Sequence, residues 1–390
     1  MHHSESRHTM SVIEADPGLS NVSVAHTEIG DVRGEEGFYQ YRQFSAIDLA
    51  RHRTFEEVWF LFVHGRLPDT VELAEFTAQV RSLRAVDDEL MAVIRLVAAT
   101  GTDHRSLIDL RTVLSSLGQL EGMSPLWDSD ESTRAGHALR VSAVTPTILA
   151  ALHRLSHGEE PVSARDDLDT AAHWLYSITG DVPAPEHARA VEQYLIATID
   201  HGFNASTFTA RVIASSGADL VSAICGAIGA FSGPLHGGAP DRALDALDEI
   251  VAAGGTEAAG GWAREQLASG QRIMGFGHAV YRTVDPRSEL LREIAIGLGG
   301  GLVDLAVDVE REVVAVLEQA HPDRPLYANV EFYAGVVMDR CGIPREMFTP
   351  TFTVSRVVGW CSNVIEQAQS RRIIRPRARY VGPEVVELVR

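Results

Sequence analysis

Wherever apolar residues form a readable stripe in this chain, they recur at helical spacing, and no sustained period-two alternation marks a major sheet. Between positions 302 and 318, Leu302, Leu305, Ala306, Val309, Val313, Val316 and Leu317 fall on one face, opposite Asp304, Asp308, Glu310 and Glu312. Thr54 and Glu57 form a capping box for a helix that places Phe55, Val58, Trp59 and Phe62 together, and Gly65 with Pro68 ends it. Asn204 caps a helix through Ala214, and Asp219 starts another that runs to about Phe231. Helices with one apolar face must bury those faces against each other, so the predicted fold class is all-α. No repeat of fixed period is found, and segments 128–131, 156–162 and 180–185 read as short connections.

A chain of 390 residues exceeds what one core usually spans, which predicts two domains, or a large one carrying a smaller one. Apolar residues at 45% and charged residues at 22% match an ordinary soluble enzyme and argue against disorder or a coiled coil. With a net charge of −19 and one dense basic cluster, at 371–379, a nucleic-acid surface is not expected. The same acidity means that any anionic ligand must be gathered by locally placed Arg and His. Cys225, Cys341 and Cys361 are odd in number and lack metal-ligand spacing, so they are expected to be buried, inert thiols in a reducing compartment. Residues 1–20 are polar without an apolar segment, which predicts a loose arm rather than a signal peptide or anchor. The longest uncharged run, 220–240, is broken by Gly, Ser and Pro and reads as a buried helix ending in a loop, not a membrane span. A cytoplasmic location is expected.

Two histidines sit among glycines: His236 in S-G-P-L-H-G-G-A (232–239) and His278 in M-G-F-G-H-A-V-Y (274–281). Glycine puts no side chain between backbone and ligand, so an imidazole in such a loop can approach a substrate closely. Two further polar clusters, D-H-G-F-N-A-S-T (200–207) and N-V-E-F-Y-A-G (329–335), lie near expected helix ends. His201 by itself reads equally well as a hydrogen-bonded structural residue. Gly275-Phe276-Gly277 starts like a dinucleotide fingerprint, but Val280 stands where the third glycine belongs and no strand precedes it. H-E-x-x-H, zinc-spaced His/Cys sets, a G-x-S-x-G elbow and a P-loop are all absent, so neither a metal nor a tightly bound cofactor is expected.

Taken together and in order, these clusters resemble the citrate synthase family, including its 2-methylcitrate synthase branch. G-D-V-R-G-E-E-G-F-Y-Q-Y-R-Q-F-S-A-I-D-L-A (30–50) resembles that family's opening segment, and S-R-V-V-G-W (355–360) with I-I-R-P-R (373–377) its carboxyl-terminal signature. The resemblance implies an all-α homodimer whose small domain closes over substrates. That places the small domain at 238–341 and the large domain at 21–237 and 342–390. It also implies roles. His236 donates a hydrogen bond to the thioester carbonyl of acetyl-CoA, Glu331 removes a methyl proton, and His278 polarises the ketone of oxaloacetate. His201, Arg287, Arg356 and, from the partner subunit, Arg375 hold the oxaloacetate carboxylates. Backbone groups of Ile273, Met274, Gly275, Phe276 and Gly277 contact the adenine of CoA, which enters as a thioester co-substrate. Arginine suits the carboxylates through its bidentate geometry.

Several positions depart from the family pattern. Glu331 stands where an aspartate is usual, which lengthens the base by one methylene; a displacement of about 1 Å can cost roughly 10²-fold when geometry is preorganised. Ala279 replaces a common arginine, Gly202 a common glutamate, and Ser362 and Asn363 occupy a region where relatives carry a histidine. Three functions follow for testing: citrate synthesis from acetyl-CoA, 2-methylcitrate synthesis from propionyl-CoA, and a weakly active paralogue that senses CoA or a dicarboxylate. A methyl-sized pocket difference is worth only about 1–3 kcal/mol, so residues alone do not rank the two acyl groups.

Overall fold

The computed structural model describes residues 14–19, 22–100, 106–233, 236, 240–278 and 280–385. Ala279, the glycines on the carboxyl side of His236 and most of the amino-terminal arm lie outside the described residues. Within them the chain forms sixteen α-helices and three short strands, in agreement with an all-α class.

The strands β1 (Gly30–Arg33), β2 (Phe38–Tyr41) and β3 (Phe44–Ser45) make an antiparallel meander in which Gly30 pairs with Tyr41 and Gln40 with Ser45. Ten helices follow in order: α1 (Ala46–His52), α2 (Phe55–His64), α3 (Thr70–Ser82), α4 (Asp88–Ala99), α5 (Ser106–Leu120), α6 (Glu131–Ser156), α7 (Thr170–Thr179), α8 (Pro185–Thr198), α9 (Ala205–Ala214) and α10 (Leu220–Phe231). Then come α11 (Pro240–Ala252), α12 (Thr256–Ala268), α13 (Pro286–Leu298), α14 (Gly301–Ala320) and α15 (Val330–Arg340), and, after a turn of 3₁₀ helix at Arg345–Met347, α16 (Phe348–Ser370). No helix among the described residues is long and apolar enough to cross a membrane.

The local signals act where the residues place them. Thr54 and Glu57 make both hydrogen bonds of the capping box, and Gly65 closes α2 at φ 76°, a conformation that side chains disfavour. Asn204 and Asp219 cap α9 and α10 through side-chain oxygens. The stripe on α14 buries Ala306, Val309, Val313, Val316 and Leu317; Val303 is buried as well, whereas the expected Leu302 and Leu305 are half-buried at its edge. Cys341 and Cys361 are buried and Cys225 is half-buried; all three are free, and burial pushes their thiols up to about 12, 12 and 11. They are inert at neutral pH, as expected.

α16 is the axis of the core. It is buried along most of its length and packs against α6, α8, α9, α10 and α2. Gly359 allows the closest approach: a Cβ there would lie 2.1 Å from the carbonyl oxygen of Ile199. Arg356, one turn earlier, donates through Nε to the Thr198 carbonyl at 2.9 Å, so α16 is keyed to the end of α8 just before His201. Helices α11 to α15 pack mainly on one another, with α13 and α15 also reaching α8.

The meander spans these parts. Tyr39 and Tyr41 donate their hydroxyls to the carbonyls of Ala197 and Ile196 at the end of α8. Its β1–β2 turn meets the loop after His278: Arg282 donates its N–H to the Gly34 carbonyl at 3.1 Å, and a Cβ on Gly34 would come 2.3 Å from the Val280 oxygen. Two histidine-bearing loops are thereby held against one small sheet.

Candidate active site

His201 follows α8, His278 precedes α13, and Glu331 is in the first turn of α15. The fold brings them around Arg287 and Arg356. The rings of His201 and His278 are 5.6 Å apart at their centroids, and Tyr281 bridges them, with its hydroxyl 2.9 Å from His201 Nε2 and its ring 4.8 Å from that of His278. Asp285 caps α13 and grips Arg287 with Nε–Oδ1 at 3.0 Å and Nη2–Oδ2 at 2.7 Å. Arg356 lies among Asp200, Tyr41 and Arg287, and burial lowers its affinity for its proton. Asp200 is itself anchored by the Gly202 N–H at 3.0 Å and the Asn363 amide at 3.1 Å. Thus Gly202 and Asn363, which depart from the family pattern, both hold the buried carboxylate beside Arg356.

Hydrogen-bond donors that cannot reverse fix the histidine tautomers. Val280 and Tyr281 each donate a backbone N–H to His278 Nδ1 at 3.0 Å, so Nδ1 is bare and the proton sits on Nε2. That Nε2–H faces Arg287 Nη2, which is also a donor, at 3.2 Å. Two donors converging without an acceptor mark the spot where a carbonyl or carboxylate oxygen of a ligand is satisfied twice. His236 is set the opposite way round. Ser206 donates its backbone N–H to His236 Nε2 at 3.3 Å, with its hydroxyl 2.8 Å from the same nitrogen, so the proton is on Nδ1. Ser206 is held by Trp360 Nε1 at 3.1 Å and Asn204 at 2.8 Å.

Burial keeps all three imidazoles neutral. His236 and His278 are lowered to about 4, chiefly by desolvation and next by Arg356 and Arg287 respectively, and His201 is held well below its ordinary value by burial, Arg287 and His278. Glu331 goes the other way: desolvation pushes its carboxyl up to about 7, against the pull of Arg287. A carboxylate poised near neutral pH beside neutral N–H donors suits removal of a weakly acidic proton. Asn329 donates to the Gly277 carbonyl at 3.0 Å and accepts the Glu331 N–H at 3.0 Å, tying Glu331 to the His278 loop.

Of the other expected residues, Ile273 is buried and Phe276 packs its ring on Phe332 at 5.1 Å. Met274 is half-buried beside them. Gly275 and Gly277 have φ of 85° and 81°, and their backbone pairs with the 327–329 segment through Asn329 N–H to Gly275 O and Gly277 N–H to Tyr327 O. A cleft of about 120 Å³ opens there, lined by Gly277, His278, Tyr281, Arg324 and Tyr327. Arg375 is exposed on the irregular segment after α16, and among the described residues it makes no hydrogen bond or ion pair with a site group of its own chain. Residue patterns missed Asp285, Tyr281, Ser206 and Asp200. Asp285-Pro286 is a legible helix start, but its second duty as the partner of Arg287 is not.

The family model described as "Citrate synthase, C-terminal domain" matches residues 18–377. The citrate synthase of Deinococcus radiodurans is 36% identical over 369 residues, covering 94% of this chain and 95% of that protein. Citrate synthase 2 of Bacillus subtilis is 36% identical over 378 residues, covering 96% and 98%. Among solved structures, the citrate synthase of Thermotoga maritima superposes with a TM-score of 0.82 at 33% identity, covering 95% of this chain and 97% of that one. The ternary complex of carboxymethyl coenzyme A and oxaloacetate with citrate synthase from Thermoplasma acidophilum superposes with a TM-score of 0.87 at 27% identity, again covering 95% and 97%. With a family match over most of its length and relatives of this similarity, the chain belongs to the citrate synthase family.

Proposed function

We propose that this chain condenses acetyl-CoA with oxaloacetate and hydrolyses the bound citryl-CoA to release citrate and CoA. The observation that carries this reading is the pair of converging donors, His278 Nε2–H and Arg287 Nη2, next to a carboxyl raised to about 7. Glu331 takes a proton from the thioester methyl while His236 Nδ1–H binds the thioester oxygen where negative charge develops. The enol carbon then bonds to the ketone carbon of oxaloacetate, whose oxygen receives the His278 Nε2 proton. Hydrolysis breaks the thioester and frees CoA as a thiol. General acid–base help of about 10²–10⁴ is too little alone for so weak a carbon acid, so charge preorganisation and exclusion of water complete the catalysis.

The two carboxylates of oxaloacetate are assigned to His201, Arg287, Arg356 and the partner subunit's Arg375, which makes the working unit a homodimer. Closure of a small domain at 238–341 over the rest is the assigned means of drying the site. The backbone of Ile273 to Gly277 is assigned to the adenine of CoA.

The test is release of free thiol from acetyl-CoA and from propionyl-CoA, each with and without oxaloacetate. Oxaloacetate-dependent release from acetyl-CoA with the larger specificity constant is the expected result. A larger constant for propionyl-CoA makes the chain a 2-methylcitrate synthase. Ligand-induced thermal stabilisation with no thiol release makes it a sensor.

A further inference from the structure

His153 and His157 have the H-x3-H spacing of one half of a metal site, and the fold brings them a third donor from a distant part of the chain. His153 and His157 stand four residues apart at the carboxyl end of α6, and Glu346 lies in the 3₁₀ turn between α15 and α16. Glu346 Oε1 is 3.5 Å from His157 Nε2 and 4.0 Å from His153 Nδ1. The donor atoms of all three residues lie within 4.8 Å of one another.

His157, the cap of α6 with φ −97° and ψ 8°, keeps near the helical path, so its ring stands over the ring of His153 at 4.5 Å between centroids. His157 Nδ1 is 2.9 Å from the His153 carbonyl oxygen. A carbonyl only accepts, so Nδ1 carries the proton and Nε2 turns its lone pair toward Glu346. A neutral Nε2 facing a carboxylate is two acceptors meeting, and the conflict is resolved by a proton, which makes an imidazolium–carboxylate pair, or by a metal cation, which can also take His153 Nδ1 as a ligand. An N–H bond to a backbone carbonyl is also the usual way a metal-binding imidazole is oriented. The negative end of the α6 dipole favours positive charge here. The His153 side chain is 10% exposed and His157 and Glu346 are each 52% exposed, so the site is anchored at one ligand and open to solvent at the others.

We propose that His153 Nδ1, His157 Nε2 and the Glu346 carboxylate form a binding site for a divalent transition-metal ion of the zinc type. An ion about 2.0–2.2 Å from each ligand needs donor separations of about 3.3 Å, which small rotations of the two exposed side chains supply. Two imidazoles with one carboxylate select zinc, nickel, cobalt or copper over magnesium and calcium. The adjacent Arg345 pairs with Asp248 of α11 at 2.6 Å, so an ion on Glu346 clamps α6 to a turn that already holds α11.

The test is calorimetric titration with ZnCl₂ and, separately, MgCl₂. The full chain is used with His2, His3 and His8 replaced by alanine, which removes the amino-terminal imidazoles as competing ligands. One equivalent of Zn²⁺ binds and Mg²⁺ does not, and His157→Asn and Glu346→Gln each weaken Zn²⁺ about tenfold or more. Both variants keep the far-ultraviolet spectrum and the basal turnover of their parent, since neither residue is in the active site. Zn²⁺ binding that is unchanged in both variants, or no binding at about 100 µM where structural zinc is saturated, overturns the site.

Discussion

Asp285 and Arg287 form a bidentate ion pair in which the side chains are 2% and 3% exposed. The cation assigned to a substrate carboxylate is therefore already matched before any ligand arrives, and it is aimed rather than mobile. Asp285→Asn leaves the guanidinium buried and uncompensated, and breaking such a pair costs about 3–5 kcal/mol. Urea unfolding will show that loss, and the double variant Asp285→Asn/Arg287→Met will recover part of it. A double variant no more stable than the single one refutes the claim that an isolated buried cation is the penalty.

As the proposed base, Glu331 has a cost in stability. Its carboxyl is pushed from an ordinary 4.5 up to about 7, so between these values the folded chain keeps a proton that the unfolded chain has released. Its contribution is whole below 4.5 and is lost as pH rises through about 7, a difference of about 3 kcal/mol. Glu331→Gln will lower turnover by at least about 10²-fold and raise stability at pH 8 but not at pH 4. Turnover of the parent, limited by the ionised base, will climb through about pH 7. Near-normal turnover in the glutamine variant removes Glu331 from its role.

The histidines act with the opposite sign. His236 and His278 fall from 6.5 to about 4 in the fold, so the unfolded chain binds protons first as the solution is acidified. The stability they contribute is present above 6.5 and is lost as pH falls toward 4, on the order of 3 kcal/mol each, with His201 adding in the same direction. Three such groups oppose one Glu331, so the combined contribution of the site's titrating groups is largest near pH 6.5 and falls on acidification. Thermal unfolding between pH 4 and 8 tests this, and His278→Gln will flatten the acid limb. An acid limb identical to that of the parent contradicts the assignment of His278.

Gly34 connects the β1–β3 meander to the site. A Cβ 2.3 Å from the Val280 oxygen forces the β1–β2 turn and the His278 loop apart. Overpacking of this kind costs about 1–3 kcal/mol, but a displacement of about 1 Å at His278 costs roughly 10²-fold in rate. Gly34→Ala will therefore lose far more turnover than stability. Equal losses, measured as kcat beside the urea midpoint, contradict that reading.

What was legible in the residues is what short-range chemistry encodes. Asn204, Asp219 and the Thr54–Glu57 box each act within one helical turn, and the α14 stripe needs only its own periodicity. Strands of four, four and two residues are too short to display alternation, so the meander was invisible. His201, His236, His278, Glu331, Arg287 and Arg356 are singled out by glycine-flanked motifs and family resemblance. The tautomers, the Asp285–Arg287 grip and the Asp200 anchor depend on atoms whose meeting only the fold decides, as does the pairing of His153 and His157 with Glu346.

Arg375 is the expected site residue that its own chain leaves exposed, on a segment without regular structure. If it completes the partner's site, inactive His278→Ala and Arg375→Ala variants will complement each other after subunit exchange. Each mixed dimer then has one site with both defects and one with none. Random exchange makes half the dimers mixed, so thiol release will recover to about a quarter of the parent's rate. Activity that stays at the level of the separate variants, with exchange confirmed by mass, places Arg375 outside the shared site. In that case His201, Arg287 and Arg356 must hold both carboxylates within a single subunit.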